Sequence, residues 1–247
     1  MQNKYLHNKI VKFVIGDVRN LESVNEVCKN IDIIIHAAAT KIVPTAETNP
    51  VECIKTNIDG AMNIIRAANL NNVKKVIALS TDKACNPVNL YGATKLASDK
   101  LFIAANNKKN YKTIYSVVRY GNVMGSRGSV IPFFISLKKK NYFPITNPKM
   151  TRFMITLDQA VEFVSKTASI MKGGEIFVKK IPSMNIMNIA KSIDNKKKLK
   201  IVGERDGEKI HEQMITSEDS KNTLEFKDFY IIYSTKKYIR LKGSKKS

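Results

Sequence analysis

Short runs of Val and Ile alternate along this chain with longer stretches of helical spacing, and that alternation leaves few folds open. Residues 11–18, 31–39, 73–80 and 116–123 are brief and apolar on both faces, as strands buried inside a parallel sheet must be. Residues 21–29, 50–69 and 90–106 lie between them and read as helices. Parallel strands need crossover connections, which helices supply, so the class is α/β with a doubly wound parallel sheet. Past about residue 125, Gly, Ser and Pro loosen the pattern; helices are expected near 130–140 and 157–171, and short strands near 175–179 and 200–203.

The formal charge of +21 admits nucleic acid, a membrane surface or an anionic substrate as partner. Of the 42 basic residues 35 are Lys, which lacks the planar fork that Arg offers to phosphate and base edges. The clusters at 138–140, 196–198 and 236–246 have almost no aromatic interleaving, Tyr238 being the one aromatic among them, and read as solvated faces, so no nucleic-acid partner is expected. No stretch approaches the roughly 18 apolar residues of a membrane span, and the first ten residues are too polar for a signal peptide. The expectation is a cytoplasmic protein without a membrane partner. Cys28, Cys53 and Cys85 match no metal-binding spacing, so they are expected to be buried free thiols and no metal site is expected.

Chemistry concentrates in residues 76–95, VIALSTDKACNPVNLYGATK. Tyr91 and Lys95 are four apart, which puts both on one helix face, where an ammonium can favour the ionised phenol. Such a phenol can act as a general base on a sugar hydroxyl. The pair follows a short loop after the carboxyl end of a parallel strand, where open α/β sheets bind ligands. Ser80, Thr81, Asp82 and Lys83 occupy that strand end and supply a hydroxyl, an acid and a base.

The run STDKA-x-NP-x-NLYGATK, with RYGNVMGSRGSVIPFF, MTRFMIT, GGEIFV-x-KIPSM and GE-x-x-GEK-x-HE, resembles the configuration-inverting UDP-N-acetylglucosamine 4,6-dehydratases. These are extended short-chain dehydrogenases with a Rossmann-like fold in the polysaccharide biosynthesis family, and they begin pseudaminic acid synthesis for flagellin glycans. The resemblance runs from about residue 13 to about residue 214. It implies a hydro-lyase with bound NADP, NAD being the alternative, that acts on UDP-N-acetylglucosamine. Catalytic roles are implied for Thr81, Asp82, Lys83, Tyr91 and Lys95. Contacts to the cofactor are implied for Asp17, Val18, Ala37, Ala38 and Lys41 together with Tyr91 and Lys95. Substrate contacts are implied for Lys41, Asn122, Arg127, Thr146, Arg152 and Arg205. Retaining relatives carry Met where this chain has Tyr91, which favours inversion. His36 is read as structural.

The implied organisation is a partial dinucleotide-binding domain over 1–125, a nucleotide-sugar-binding part over 126–235 and a Lys-rich tail over 236–247. None of the 11 glycines makes a G-x-G-x-x-G turn between strand and helix, where such folds hold a pyrophosphate. The sequence therefore predicts an N-terminally truncated dehydratase. Residues 11–18 would lack a neighbouring strand and residues 31–39 would present an apolar edge. A separate N-terminal chain is one source of the front end, and a homo-oligomer is compatible with the pattern. A non-catalytic sugar-nucleotide-binding or interaction domain of the same fold is the alternative. Asp206 stands where the family usually has Pro, which leaves the Arg205 loop less rigid.

Overall fold

The computed structural model describes residues 10–107 and 110–233, so the Lys-rich tail lies outside the described residues. In chain order come α1 (Leu21–Val27), β1 (Ile33–His36), α2 (Val43–Thr48) and α3 (Pro50–Ile54), then a π-helical turn (Lys55–Asp59) leading into α4 (Gly60–Leu70). Next are β2 (Lys75–Thr81), a 3-10 turn (Asp82–Ala84), α5 (Leu90–Ala105) and β3 (Ile114–Tyr120). The remainder comprises β4 (Asn122–Val123), α6 (Val130–Ser136), β5 (Tyr142–Ile145), β6 (Thr151–Ile155), α7 (Leu157–Ile170), β7 (Glu175–Lys179), β8 (Ser183–Asn185), α8 (Ile186–Ile193), β9 (Lys198–Ile201), α9 (Ser217–Ser220), β10 (Thr223–Glu225) and β11 (Phe229–Tyr233).

Six strands form the main sheet in the order β1-β2-β3-β7-β11-β10. The first four run parallel, while β11 and β10 join antiparallel. Val76, Ala78 and Val117 turn to one face and pack with α1, α4 and α5 residues such as Val24, Ile64 and Phe102. Ile77, Val118 and Phe177 turn to the other face, against Phe163 and Val164 of α7. Strands apolar on both sides thus become the middle layer of an α/β/α sandwich, as the continuous Val/Ile runs require. From β4 onward the chain divides its strands: β7, β10 and β11 extend the main sheet, whereas β5, β9 and the β4-β6-β8 ribbon form smaller sheets. A separate apolar cluster that includes Phe134, Phe143, Met154 and Ile189 lies among these smaller elements.

Residues 11–18 do not form the expected strand; they run without regular structure, and Val14 and Ile15 are exposed. A strand is defined by its partner, and no described strand borders β1 on that side, so β-favouring residues have no ladder to join. The apolar edge does occur, with Ile33 and Ile35 of β1 46% and 51% exposed. The helix α2 was not foreseen from the sequence; Pro44 in its first turn starts it, and its Thr-rich composition disguises it. All three cysteines are buried and free, as expected, and burial pushes the Cys85 thiol up to about 11. No helix among the described residues is long and apolar enough to cross a membrane.

Candidate functional site

A cavity of about 820 Å³ opens beyond the carboxyl ends of β1, β2 and β3 and is roofed by residues of the smaller sheets and the 205–212 segment. That is where a doubly wound sheet places its ligand. Of the residues singled out from the sequence, Ala37, Lys41, Thr81, Asp82, Lys83, Tyr91, Lys95, Asn122, Arg127, Thr146, Arg152 and Arg205 all line it. Residues spread from β1 to the 205 loop therefore converge on one space.

Local sequence explains how the catalytic turn is built. Thr81 ends β2 in extended backbone, and its hydroxyl accepts from the Lys83 amide at 3.4 Å, which caps the 3-10 turn. The same hydroxyl donates to Asp82 Oδ1 at 3.0 Å, and Lys83 Nζ donates to that oxygen at 3.1 Å. Asp82 is 1% exposed and its Oδ2 has no partner within the protein. A buried carboxylate oxygen without a partner, on a residue that lines the cavity, calls for an explanation, and a small shift on ligand binding would offer it a ligand hydroxyl. Asn89 caps α5, accepting from the Gly92 amide at 2.8 Å. Gly92 allows the helix to sit on the turn, because a methyl there would collide with the Lys83 carbonyl. Tyr91 is thereby brought against Thr81 and Asp82.

The loop after β1 is fixed by Asn57, whose side chain accepts from the Thr40 amide at 2.8 Å and donates to the Thr40 carbonyl and to Thr94 Oγ1, each at 3.0 Å. Asn57 lies in the π-helical turn, a local irregularity of the kind that collects at functional sites. These bonds tie Ala37–Lys41 to the helix carrying Tyr91 and Lys95. Burial lowers the Lys41 ammonium, and repulsion from Lys83 adds to that.

Burial raises the Tyr91 phenol above the usual tyrosine range, opposed by a hydrogen bond with Thr81. Lys95 is 3% exposed; burial lowers it and the Asp99 carboxylate opposes that. Asp99 follows Lys95 by one further turn of α5, so the ammonium feels the carboxylate behind it electrostatically, without an ion pair to it among the described residues. Among the described residues Lys95 has no hydrogen bond. Asp99 accepts from Ser80 Oγ at 2.7 Å and lies 3.4 Å from the buried Arg119. His36, packed on Phe102 with ring centroids 5.6 Å apart, is structural as expected; burial, then Lys95, lowers it to about 4.

A dinucleotide can be tested against these groups. The ammonium of Lys95, the phenol of Tyr91 and the small side chains of Ala37 and Ala39 meet in the cavity, which fits a nicotinamide riboside with its hydroxyls toward the polar pair. No glycine-rich strand-to-helix turn for a pyrophosphate occurs among the described residues. Ala38, Asp17 and Val18 do not line the cavity: Asp17 is exposed and paired with Arg19, which holds it down to about 2, and the Val18 carbonyl accepts from Asn63 at 2.9 Å.

The description "polysaccharide biosynthesis protein" matches residues 1–234. The chain belongs to the polysaccharide biosynthesis protein family. The UDP-N-acetylglucosamine 4,6-dehydratase (inverting) of Campylobacter jejuni serotype O:23/36 is 56% identical over 229 residues, covering 92% of this chain and 69% of that protein. A UDP-glucose 4-epimerase of Rickettsia bellii is 45% identical over 233 residues, covering 92% of this chain and 68% of that protein. Among solved structures, Pen from Bacillus thuringiensis superposes with a TM-score of 0.90 at 38% identity, covering 94% of this chain and 75% of that one.

Sequence reasoning did not single out Asp99, Tyr120 or Glu212, though Tyr120 and Glu212 line the cavity and Asp99 stands behind it. Glu212 lay within a quoted motif, GEK-x-HE, but nothing in one sequence connects it to Lys83, from which it is 3.2 Å away.

Proposed function

We propose that this chain catalyses the 4,6-dehydration of UDP-N-acetylglucosamine with inversion at C5. The observation that carries the reading is the Asp82–Lys83 pair beside Tyr91 and Lys95 in one cavity, which supplies an acid and a base in addition to the base needed for alcohol oxidation. A 4-epimerase has no step at C5 or C6 and so no use for that pair. The 56% identity to an inverting dehydratase supports the same choice.

Tyr91 takes the proton of the sugar 4-hydroxyl, and Thr81 bonds the 4-oxygen. Tyr91 and Lys95, beside Ala37 and Ala39, would hold a nicotinamide dinucleotide, NADP in this reading with NAD the alternative, which would supply hydride acceptance from C4 and hydride donation to C6. The C4 ketone makes the neighbouring C5 proton acidic, and Lys83 removes it. Asp82 gives its proton to the 6-oxygen as the C6–O bond breaks, and water leaves. A proton then reaches C5 on the opposite face, which inverts that centre. The net change is loss of one water, with the cofactor unchanged. Arg127 and Arg205 suit the diphosphate, since a guanidinium binds phosphate oxygens in pairs. Asn122, Thr146, Arg152 and Lys41 line the remaining sugar and nucleotide space. We assign the product to pseudaminic acid synthesis, on the motif resemblance.

The test is proton NMR of UDP-N-acetylglucosamine incubated with the chain and NADP. A 4-keto-6-deoxy sugar with deuterium at C5 when the solvent is deuterium oxide is expected; a 4-epimer, or no reaction, overturns the reading.

A further inference from the structure

The cavity wall facing the catalytic turn is a largely irregular segment, residues 204–214, pinned on both sides. Toward the turn, Lys209 Nζ donates to the Cys85 carbonyl at 2.6 Å, Asn86 Nδ2 donates to Gln213 Oε1 at 2.8 Å, and Asn89 Nδ2 donates to the Gly207 carbonyl at 2.8 Å. Toward β6, the Thr151 amide donates to the Ile210 carbonyl at 3.0 Å, and Thr151 Oγ1 shares a hydrogen bond with His211 Nδ1 at 2.8 Å. A side chain borne on this segment is placed by its backbone.

Glu212 is such a side chain, only 3% exposed. Its Oε1 lies 3.2 Å from Lys83 Nζ and its Oε2 lies 3.5 Å from Lys209 Nζ. Lys83 Nζ therefore stands between two carboxylates, Asp82 at 3.1 Å and Glu212. A buried carboxylate is costly unless paired, so contact with a cavity lysine needs a reason beyond filling space. Adjacent residues such as Asp82 and Lys83, left alone, would close on each other, each occupying the group the other needs free. Lys83 Nζ hydrogen-bonds only to Asp82 among the described residues, and Glu212 at ion-pair distance offers the ammonium a second partner, while Asp82 Oδ2 is left without a protein partner.

We propose that Glu212 is a positioning residue that holds the Lys83 amine off exclusive pairing with Asp82, so that base and acid face different carbons of the hexose. This rests on the dehydratase reading above. The role is to orient Lys83, without contact to the sugar.

The experiment compares Glu212→Gln, Glu212→Asp, Lys83→Met and the Lys83→Met/Glu212→Gln double variant with the unaltered chain, with UDP-N-acetylglucosamine and NADP in deuterium oxide. Glu212→Gln is expected to lower kcat by up to about 100-fold, the cost of misplacing a reacting group by about 1 Å, with KM within about twofold. Reduced nicotinamide should still form, because C4 oxidation uses Tyr91, while deuterium entry at C5 falls with kcat. Glu212→Asp should restore part of the rate, and Glu212→Gln should change nothing further once Lys83 is Met. A uniform loss at every step, a KM effect alone, or additive losses in the double variant would overturn the proposal. If the unaltered chain makes no keto sugar, the dehydratase reading fails separately. The Lys83–Glu212 link is then read from melting temperatures, which need no turnover: the double variant should melt higher than the sum of the single shifts predicts, and additive shifts reject the link.

Discussion

Lys83 Nζ and Asp82 Oδ1 are 3.1 Å apart at the mouth of the turn that ends β2, which couples the group assigned to take the C5 proton to the group assigned to release water. Replacing Asp82 with Asn keeps the shape and removes the acid. C4 oxidation should survive, seen as reduced nicotinamide absorbance on mixing with UDP-N-acetylglucosamine. Formation of the keto sugar should fall by on the order of 10²–10⁴-fold, the usual worth of a placed general acid. Loss of both signals together would place Asp82 in binding instead.

Burial raises the Tyr91 phenol, and a base works only when deprotonated. Since the raised value lies above neutrality, the deprotonated fraction grows with each step toward alkaline pH. The logarithm of kcat/KM for the free enzyme should therefore climb with a slope of about 1 across the neutral and mildly alkaline range, without a plateau there. Tyr91→Phe should abolish both turnover and slope. A flat profile in the unaltered chain would remove the phenol from the proton transfer that limits kcat/KM.

How much of this was readable beforehand follows the range of the interactions involved. The stretch from β2 through α5 was foreseen because its signals are local: an apolar run, a short loop and the four-residue spacing of Tyr91 and Lys95. Residues 11–18 carry the same β-favouring composition as β2, but a strand needs a partner and single-chain patterning cannot supply one. Within the site the motifs delivered the residues that line the cavity, whereas the environment of each was not legible. Spacing put Lys95 beside Tyr91; it could not say that burial would dominate both, with Thr81 opposing it at Tyr91 and Asp99 opposing it at Lys95. Glu212 meets Lys83 only after the chain has folded across the turn.

Behind the cavity, Arg119 is 2% exposed and spans Asp99 at 3.4 Å, Asp219 at 3.8 Å and the Met214 carbonyl at 2.9 Å. It ties β3 to α5 and to the segment that follows Glu212. Burial raises the Asp99 carboxyl, with Arg119 and then Lys95 opposing it, so removing the guanidinium strands a buried acid. Arg119→Met should cost about 3–5 kcal/mol in urea unfolding, the range for breaking one side of a buried pair. The double variant Arg119→Met/Asp99→Leu should recover part of that loss, since the Asp99 carboxyl is then no longer stranded, although the buried Lys95 ammonium loses its neighbouring carboxylate. Equal stability of the unaltered and Arg119→Met chains would show that Ser80 alone satisfies Asp99.

His36 gives the fold an acid-sensitive point at the end of β1. Burial, reinforced by the Lys95 ammonium, lowers its imidazole from 6.5 to about 4, and its Nε2 has no partner in the described structure. The unfolded chain therefore binds a proton near pH 6.5 that the folded chain refuses until about pH 4. The stability this represents is fully present above the unfolded value and is lost as pH falls through that window. Each unit of pH within it costs about 1.4 kcal/mol, so unfolding free energy should drop by roughly 2 kcal/mol between about pH 7.5 and about pH 5 from this residue alone. His36→Phe keeps a ring against Phe102 and removes the titration, so its unfolding free energy should depend less steeply on pH by that amount. Identical slopes for the two chains would mean that carboxylates, and not the imidazole, set the acid limit of the fold.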